Sequence, residues 1–351
     1  MQHRLIRLVR ISLITIFLAS ILGACADIDQ YYLVGSREVR EEQRELLALY
    51  NKAGGRPADQ VVLAERIASR LMAADAQERV PAFLTTHVEQ VPDDPFNAYY
   101  LVLTAEAYRN EGFPNLAQEY FERAVVNYPD VVVRDRSVHF AALSELVRLT
   151  QEPEKRIRFY EELLTRFPDE IQVGEAHYYM AKSYEELGEW EQAFESYRRF
   201  IQDPDAEVPE APDARTEIVE LLEFYDSRKD WTFESLDDLV YAIKVAIDLR
   251  NPVRLLSHRA GVNFFSMSWG QEESDENSEI QWDIGELLSN SVRYNRDLDI
   301  GSNEKEAYLR TTGWGIRIQT WYLYFRRIDF PADPEINGNW EWAGILFGER
   351  L

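Results

Sequence analysis

One spacing of small and aromatic residues limits what this chain can fold into more than its composition does. In residues 98–130, Ala105 stands where two helices would come closest, and Tyr108 follows one turn later. Gly112 ends the first helix. Ala117, Phe121 and Ala124 then recur at intervals of four and three, which is one face of a second helix. Pro129 stops that helix, because proline has no amide hydrogen and its ring clashes with the preceding turn. The same order returns from Gly174 as Ala181, Tyr184, Gly188, Ala193, Tyr197 and Phe200, closed by Pro204. A helical hairpin cannot cover its own apolar face, so recurring hairpins must stack on one another.

Both stretches resemble the tetratricopeptide repeat, a helix–turn–helix unit of about 34 residues that stacks into an all-α superhelix. A degenerate copy keeps Ile67, Ala68, Leu71 and Leu84, then Pro92. Another keeps Ser144, Tyr160, Leu163 and Pro168, with Arg156 where its second helix needs a small residue. Starts at Val61, Ala98, Ser137 and Gly174 lie 37, 39 and 37 residues apart, so the surplus belongs in turns. Residues 214–226 and 233–250 read as a fifth, divergent hairpin that ends the array or begins the next domain. Residues 37–52, with Val39, Leu46, Leu47 and Tyr50 as apolar members, form an amphipathic helix that caps the array. The resemblance implies that the second, fifth, ninth and twelfth positions of each unit face a groove that binds an extended peptide or partner helix. Those positions are Tyr99, Val102, Glu106 and Arg109; Val138, Ala141, Glu145 and Arg148; and Glu175, Tyr178, Lys182 and Glu185.

After Pro252 the pattern changes from helical to alternating. Phe265, Met267 and Trp269 fall on one face of a strand, and residues 316–328 make a longer one rich in aromatic and branched residues. Asn337-Gly338 signals a turn, and residues 340–347 form a strand that pairs antiparallel with it. Alternation sends Trp321 and Phe325 to the face opposite Tyr322 and Tyr324. The fold class is thus an all-α superhelix followed by a small α+β domain with a curved antiparallel sheet. The rings Trp314, Trp321, Tyr322, Tyr324, Phe325, Trp340 and Trp342 serve either as the core of that domain or as the lining of an apolar pocket.

The N-terminus carries a targeting pattern. Arg4, Arg7 and Arg10 precede the apolar residues 11–22, a run too short to span a bilayer as a helix. It ends Leu22-Gly23-Ala24-Cys25, which resembles the bacterial lipobox. The resemblance implies cleavage after Ala24 and a diacylglyceryl group, with its palmitate-type chains, on Cys25. Ala26 rather than aspartate follows the cysteine, which in enteric bacteria points to the outer membrane more than the inner. The expected organisation is a lipoprotein signal peptide over residues 1–24, a spacer and capping helix over 25–57, repeats over 58–250 and the α+β domain over 251–351.

The chain has 351 residues, a net charge of −24 and one cysteine. Such negative charge disfavours nucleic acid, whose phosphates need basic counter-charge. A lone cysteine excludes an internal disulfide framework. His87, His139, His177 and His258 are scattered without metal-ligand spacing, and no phosphate loop or nucleophile elbow occurs. Asp275, Asn277, Glu279, Asp283 and Glu286 echo a calcium loop, but Ile280 replaces the glycine its sharp turn needs. Asp297, Asp299 and Gly301 make a second acidic turn. No catalytic residue, metal or cofactor is expected. The expectation is a membrane-anchored interaction scaffold of the cell envelope that binds a partner protein or peptide. The alternative is a periplasmic ligand-binding accessory of a transport system, using the groove or the aromatic domain.

Overall fold

The computed structural model describes residues 28–269, 288, 291–314 and 319–350. The leader, the lipobox with Cys25, and the acidic stretch from Asp275 to Glu286 lie outside the described residues. The chain forms two compact units, one ending at Ala176 and the other beginning at His177, so that the division falls inside a helix, Val173–Leu187.

The first unit holds α1 (Ile28–Tyr31), α2 (Arg37–Lys52), α3 (Pro57–Ala73), α4 (Arg79–Gln90), α5 (Asn97–Asn110), α6 (Pro114–Asn127), α7 (Val138–Leu149), α8 (Pro153–Arg166) and the start of α9 (Val173–Leu187). Local chemistry sets several of these boundaries. Prolines open α3, α6 and α8, where a missing amide hydrogen costs nothing. The Ser36 hydroxyl accepts from Val39 N at 3.3 Å and starts α2. Gly112 takes a left-handed φ of 83° after α5, and the Phe113 amide turns back to donate to Tyr108 O at 2.9 Å.

The helices α5 and α6 meet at alanines, as the spacing requires. Ala98, Ala105, Ala117 and Ala124 have no exposed surface, and Phe121 is buried with them. α6 packs on α7, and α5 also touches α7, so successive hairpins stack. On α2, Leu46, Leu47 and Tyr50 are buried against α3 and α4, which covers the first hairpin. The 39-residue interval has a concrete cause. A hairpin of β1 (Val132–Val133) and β2 (Arg136–Ser137) stands between α6 and α7, with Arg134 and Asp135 both at positive φ in its two-residue turn. Asp130 ties this insert to the next helix, accepting from Ser137 Oγ at 2.6 Å and His139 N at 2.9 Å.

The second unit continues α9 and adds α10 (Trp190–Gln202), α11 (Ala214–Asp226), α12 (Leu236–Asp248), α13 (Pro252–Leu256), β3 (Phe265–Ser268), β4 (Arg293–Tyr294), β5 (Glu306–Thr312), β6 (Thr320–Arg327) and β7 (Trp340–Phe347). The sheet order is β3-β7-β6-β5-β4. β6 and β7 pair antiparallel, with a bulge at Tyr324/Phe325 that adds curvature. β3 joins β7 in parallel, which makes the five-stranded sheet mixed and leaves it open. Gly344 of β7 permits this: a Cβ there would come within 2.7 Å of the Phe265 ring.

α12 covers one face of the sheet. Leu239, Ile243, Ala246 and Ile247 pack with Trp321, Leu323, Phe325, Trp342 and Ile345. A second core joins α9, α10 and α11 to the turn after β6: Phe194 stacks on Tyr225 at 3.9 Å, and Phe330 meets Phe194 and Phe224 at 6.1 and 5.0 Å. The last helical hairpins and the sheet therefore share one folded unit.

Candidate functional site

In the first unit the residues assigned to a groove form two charged clusters on first helices of successive hairpins. Tyr99, half-buried on α5, donates its hydroxyl to Glu65 of α3. Arg134, from the β1–β2 turn, pairs with the same carboxylate at 2.5 Å. Burial and the Glu65 carboxylate both push the Tyr99 phenol well above its usual range. About two turns along α5 the second cluster begins, at Glu106. There Arg109 pairs with Glu145 of α7 at 2.6 Å, and half-buried Glu106 lies close to both. Burial raises the Glu106 pKa; the Arg109 charge opposes that shift and Glu145 adds to it. Arg148, one turn beyond Glu145, is exposed with no ion-pair partner among the described residues.

Not every residue at a groove-facing position is accessible. Val102 and Val138 are both 4% exposed and belong to the helical core. Ala141 is exposed and Glu175 is half-buried. In the second unit, Tyr178 is 7% exposed, and its ring packs on Phe200 at 5.4 Å and Tyr197 at 6.1 Å. Lys182 lies over both tyrosine rings, 5.8 and 5.6 Å from their centroids, and bonds Glu185 at 3.0 Å. Tyr178 is thus a packing residue, with Lys182 over its ring. Glu65 and Arg134 were not foreseen as site residues. The signal for Glu65 was its place in the first helix of a degenerate repeat, and Arg134 sits in the insert that the 39-residue spacing implied.

The aromatic sheet resolves into two faces, as the alternation predicts. Trp314, Trp321, Phe325, Trp340 and Trp342 form the core under α12, with Trp314 and Trp321 stacked at 5.0 Å. Two of the indoles find acceptors within the domain: Trp314 Nε1 donates to Thr311 Oγ1 at 2.6 Å, and Trp342 Nε1 to Gly344 O at 2.9 Å. These rings belong to the core on that face. The opposite face carries Met267, Tyr308, Tyr322 and Leu346, all buried, with Phe265, Trp269 and Tyr324 half-buried around them. Arg350 lies over Trp269 and Tyr308 at 5.2 and 5.0 Å.

The remaining candidates have structural occupations. His87 is buried between Tyr50, at 2.5 Å from Nδ1, and Asp94, at 3.0 Å from Nε2, and joins α2, α4 and the turn before α5. Burial lowers the pKa of His139, His177 and His258. The turn at Asp297–Gly301 closes on itself: Asp299 accepts from Gly301 N at 3.0 Å and from Arg350 at 3.4 Å. Among the described residues no group of three or more acidic, histidine or cysteine side chains is arranged to hold a metal ion. Among them, too, no helix is long and apolar enough to cross a membrane.

Residues 175–206 match the family model described as tetratricopeptide repeat. No curated protein matches the chain. The match falls on the copy that begins near Gly174. Together with the stacked hairpins it supports a tetratricopeptide-repeat protein, and such repeats are in general protein–protein interaction modules rather than enzymes.

Proposed function

We propose that this protein is a lipid-anchored interaction scaffold of the bacterial cell envelope, held by Cys25 at the periplasmic or surface face, with the outer membrane favoured over the inner. The observation that carries the interaction reading is the charged face of α5 and α7. Tyr99, Glu106, Arg109, Glu145 and Arg148 lie on first helices, where repeats of this kind engage a partner. Residues packed as Val102 and Val138 are hold the two helices rigid beneath it. A surface of alternating acid and base, with one tyrosine and one free arginine, suits an extended peptide or helix that carries both charges. Lys182 and Glu185 offer the same chemistry in the second unit. The anchor rests on the Leu22-Gly23-Ala24-Cys25 pattern.

The test is capture from solubilised envelopes by wild type and by Tyr99→Ala combined with Arg148→Glu. Loss of about 2 kcal/mol or more of affinity for the captured partner, with an unchanged melt, supports the reading. Undiminished capture refutes it. Capture by wild type that survives every change on α5 and α7 but fails on removal of Arg350 moves recognition to the aromatic sheet, the site that a ligand-binding accessory would use.

A further inference from the structure

The outer side of α12 presents large apolar side chains that are exposed. Its inner side packs on the sheet through Leu239, Val240, Ile243, Ala246 and Ile247. On the other side Tyr241 is 69% exposed, Val245 is half-buried, and Leu249, which caps the helix, is 62% exposed. The three stand at intervals of four and form one line along the helix. Val253, 79% exposed, and Leu256 extend the apolar surface into α13. Large apolar side chains scattered singly are ordinary, whereas contiguous exposed apolar surface is what interfaces are built from.

The charges around the line identify the occupant. Glu234, Asp237 and Asp238 are exposed at the start of α12, and no ion-pair partner stands among the described residues for any of them. Arg250 and Arg254 are exposed just beyond its end, likewise without one. The acids at the start suit the helix dipole, whereas the last turn holds no base and ends at the exposed Asp248, which accepts from the Tyr294 hydroxyl at 2.8 Å; the arginines lie beyond it. The dipole does not explain the apolar line between them.

We infer that α12 is the centre of a twofold contact with a second copy of this chain, in which two α12 helices pack antiparallel across Val245. Under that symmetry Tyr241 of one copy faces Leu249 of the other. Asp237 and Asp238 then meet the end that carries Arg250 and Arg254, twice over. A twofold contact requires a self-complementary patch, and an apolar line with acid at one end and base at the other is one. The antiparallel arrangement also sets each helix dipole against its opposite. This surface belongs to the second unit and the charged face of α5 and α7 to the first, so substitutions on the one leave the residues of the other unchanged.

The experiment uses the full chain in detergent with Cys25→Ser, which leaves an introduced cysteine as the only thiol. A residue on a twofold axis meets its own copy. Val245→Cys should therefore give a disulfide-linked dimer on mild oxidation, whereas Tyr241→Cys alone should not, because its copies lie about 12 Å apart along the paired helices. Mixing Tyr241→Cys chains with Leu249→Cys chains should restore the link. Adding Tyr241→Glu and Leu249→Glu to Val245→Cys should lower its yield on the order of tenfold. No dimer from Val245→Cys, equal yields from Tyr241→Cys alone, or a yield untouched by the two glutamates would each overturn the inference.

Discussion

Glu341 offers a direct measure of what holds the second unit together. Its carboxylate is 1% exposed on β7. It accepts from Trp231 Nε1 at 2.7 Å and from Arg326 Nε at 2.6 Å. Trp231 belongs to the link between α11 and α12, so the carboxylate fastens that link to the sheet. Glu341→Ala removes both acceptors. The buried indole then keeps an unsatisfied donor, which costs about 1–3 kcal/mol, and a hydrogen bond to a charged group is worth about 1.5–3 kcal/mol more. The Arg326 side chain is 33% exposed, so water recovers part of the second contribution. The net expectation is about 2–4 kcal/mol, below the roughly 3–5 kcal/mol for breaking a fully buried pair. For a unit of this size that lowers the melting temperature by about 4–16 °C. Glu341→Gln should recover only part of the loss, because one amide oxygen cannot serve both donors while the amide NH₂ faces the other. Thermal melts followed by tryptophan fluorescence read the change, and Arg326→Ala completes a double-mutant cycle. A Glu341→Ala protein within about 0.5 kcal/mol of wild type would refute the assignment, since that is the range of a surface change.

Other expectations are as direct. Ala117 has no exposed surface, so Ala117→Trp should overpack the α5–α6 contact and cost about 1–3 kcal/mol or more; a melt unchanged from wild type would show that the helices do not meet there. Burial holds His139, His177 and His258 neutral in the folded chain, while the unfolded chain takes up these protons near pH 6.5. The stability involved is present above that pH and is lost as pH falls through it toward the folded values, because the unfolded state then binds more protons. His139→Gln should flatten the fall in urea midpoint between pH 7.5 and pH 5, and an identical slope would count against it. Cys25→Ser should abolish labelling by radioactive palmitate and leave an uncleaved precursor, and equal labelling would end the anchoring proposal.

The spacing of small residues was enough to place the helical hairpins, because an alanine at a helix contact is a local requirement with a fixed period. Ala105, Ala117, Ala181 and Ala193 are all fully buried where that period puts them. Strand alternation was equally local, and it separated Trp321 and Phe325 from Tyr322 and Tyr324 without reference to any partner strand. What the period could not say is how deeply a position sits once neighbours arrive. Val102 and Tyr178 occupy groove-facing places in the repeat, yet adjoining side chains bury them. Glu65 meets Tyr99 from 34 residues away, and Arg134 meets Glu65 from 69, distances no helical period spans. The parallel seat of β3 beside β7 depends on the absence of a side chain at Gly344, and Phe330 joins the rings of α10 and α11 only because the chain returns there after β6. Periodicity is written along the chain, whereas burial and pairing are properties of surfaces that only meet when the chain has folded.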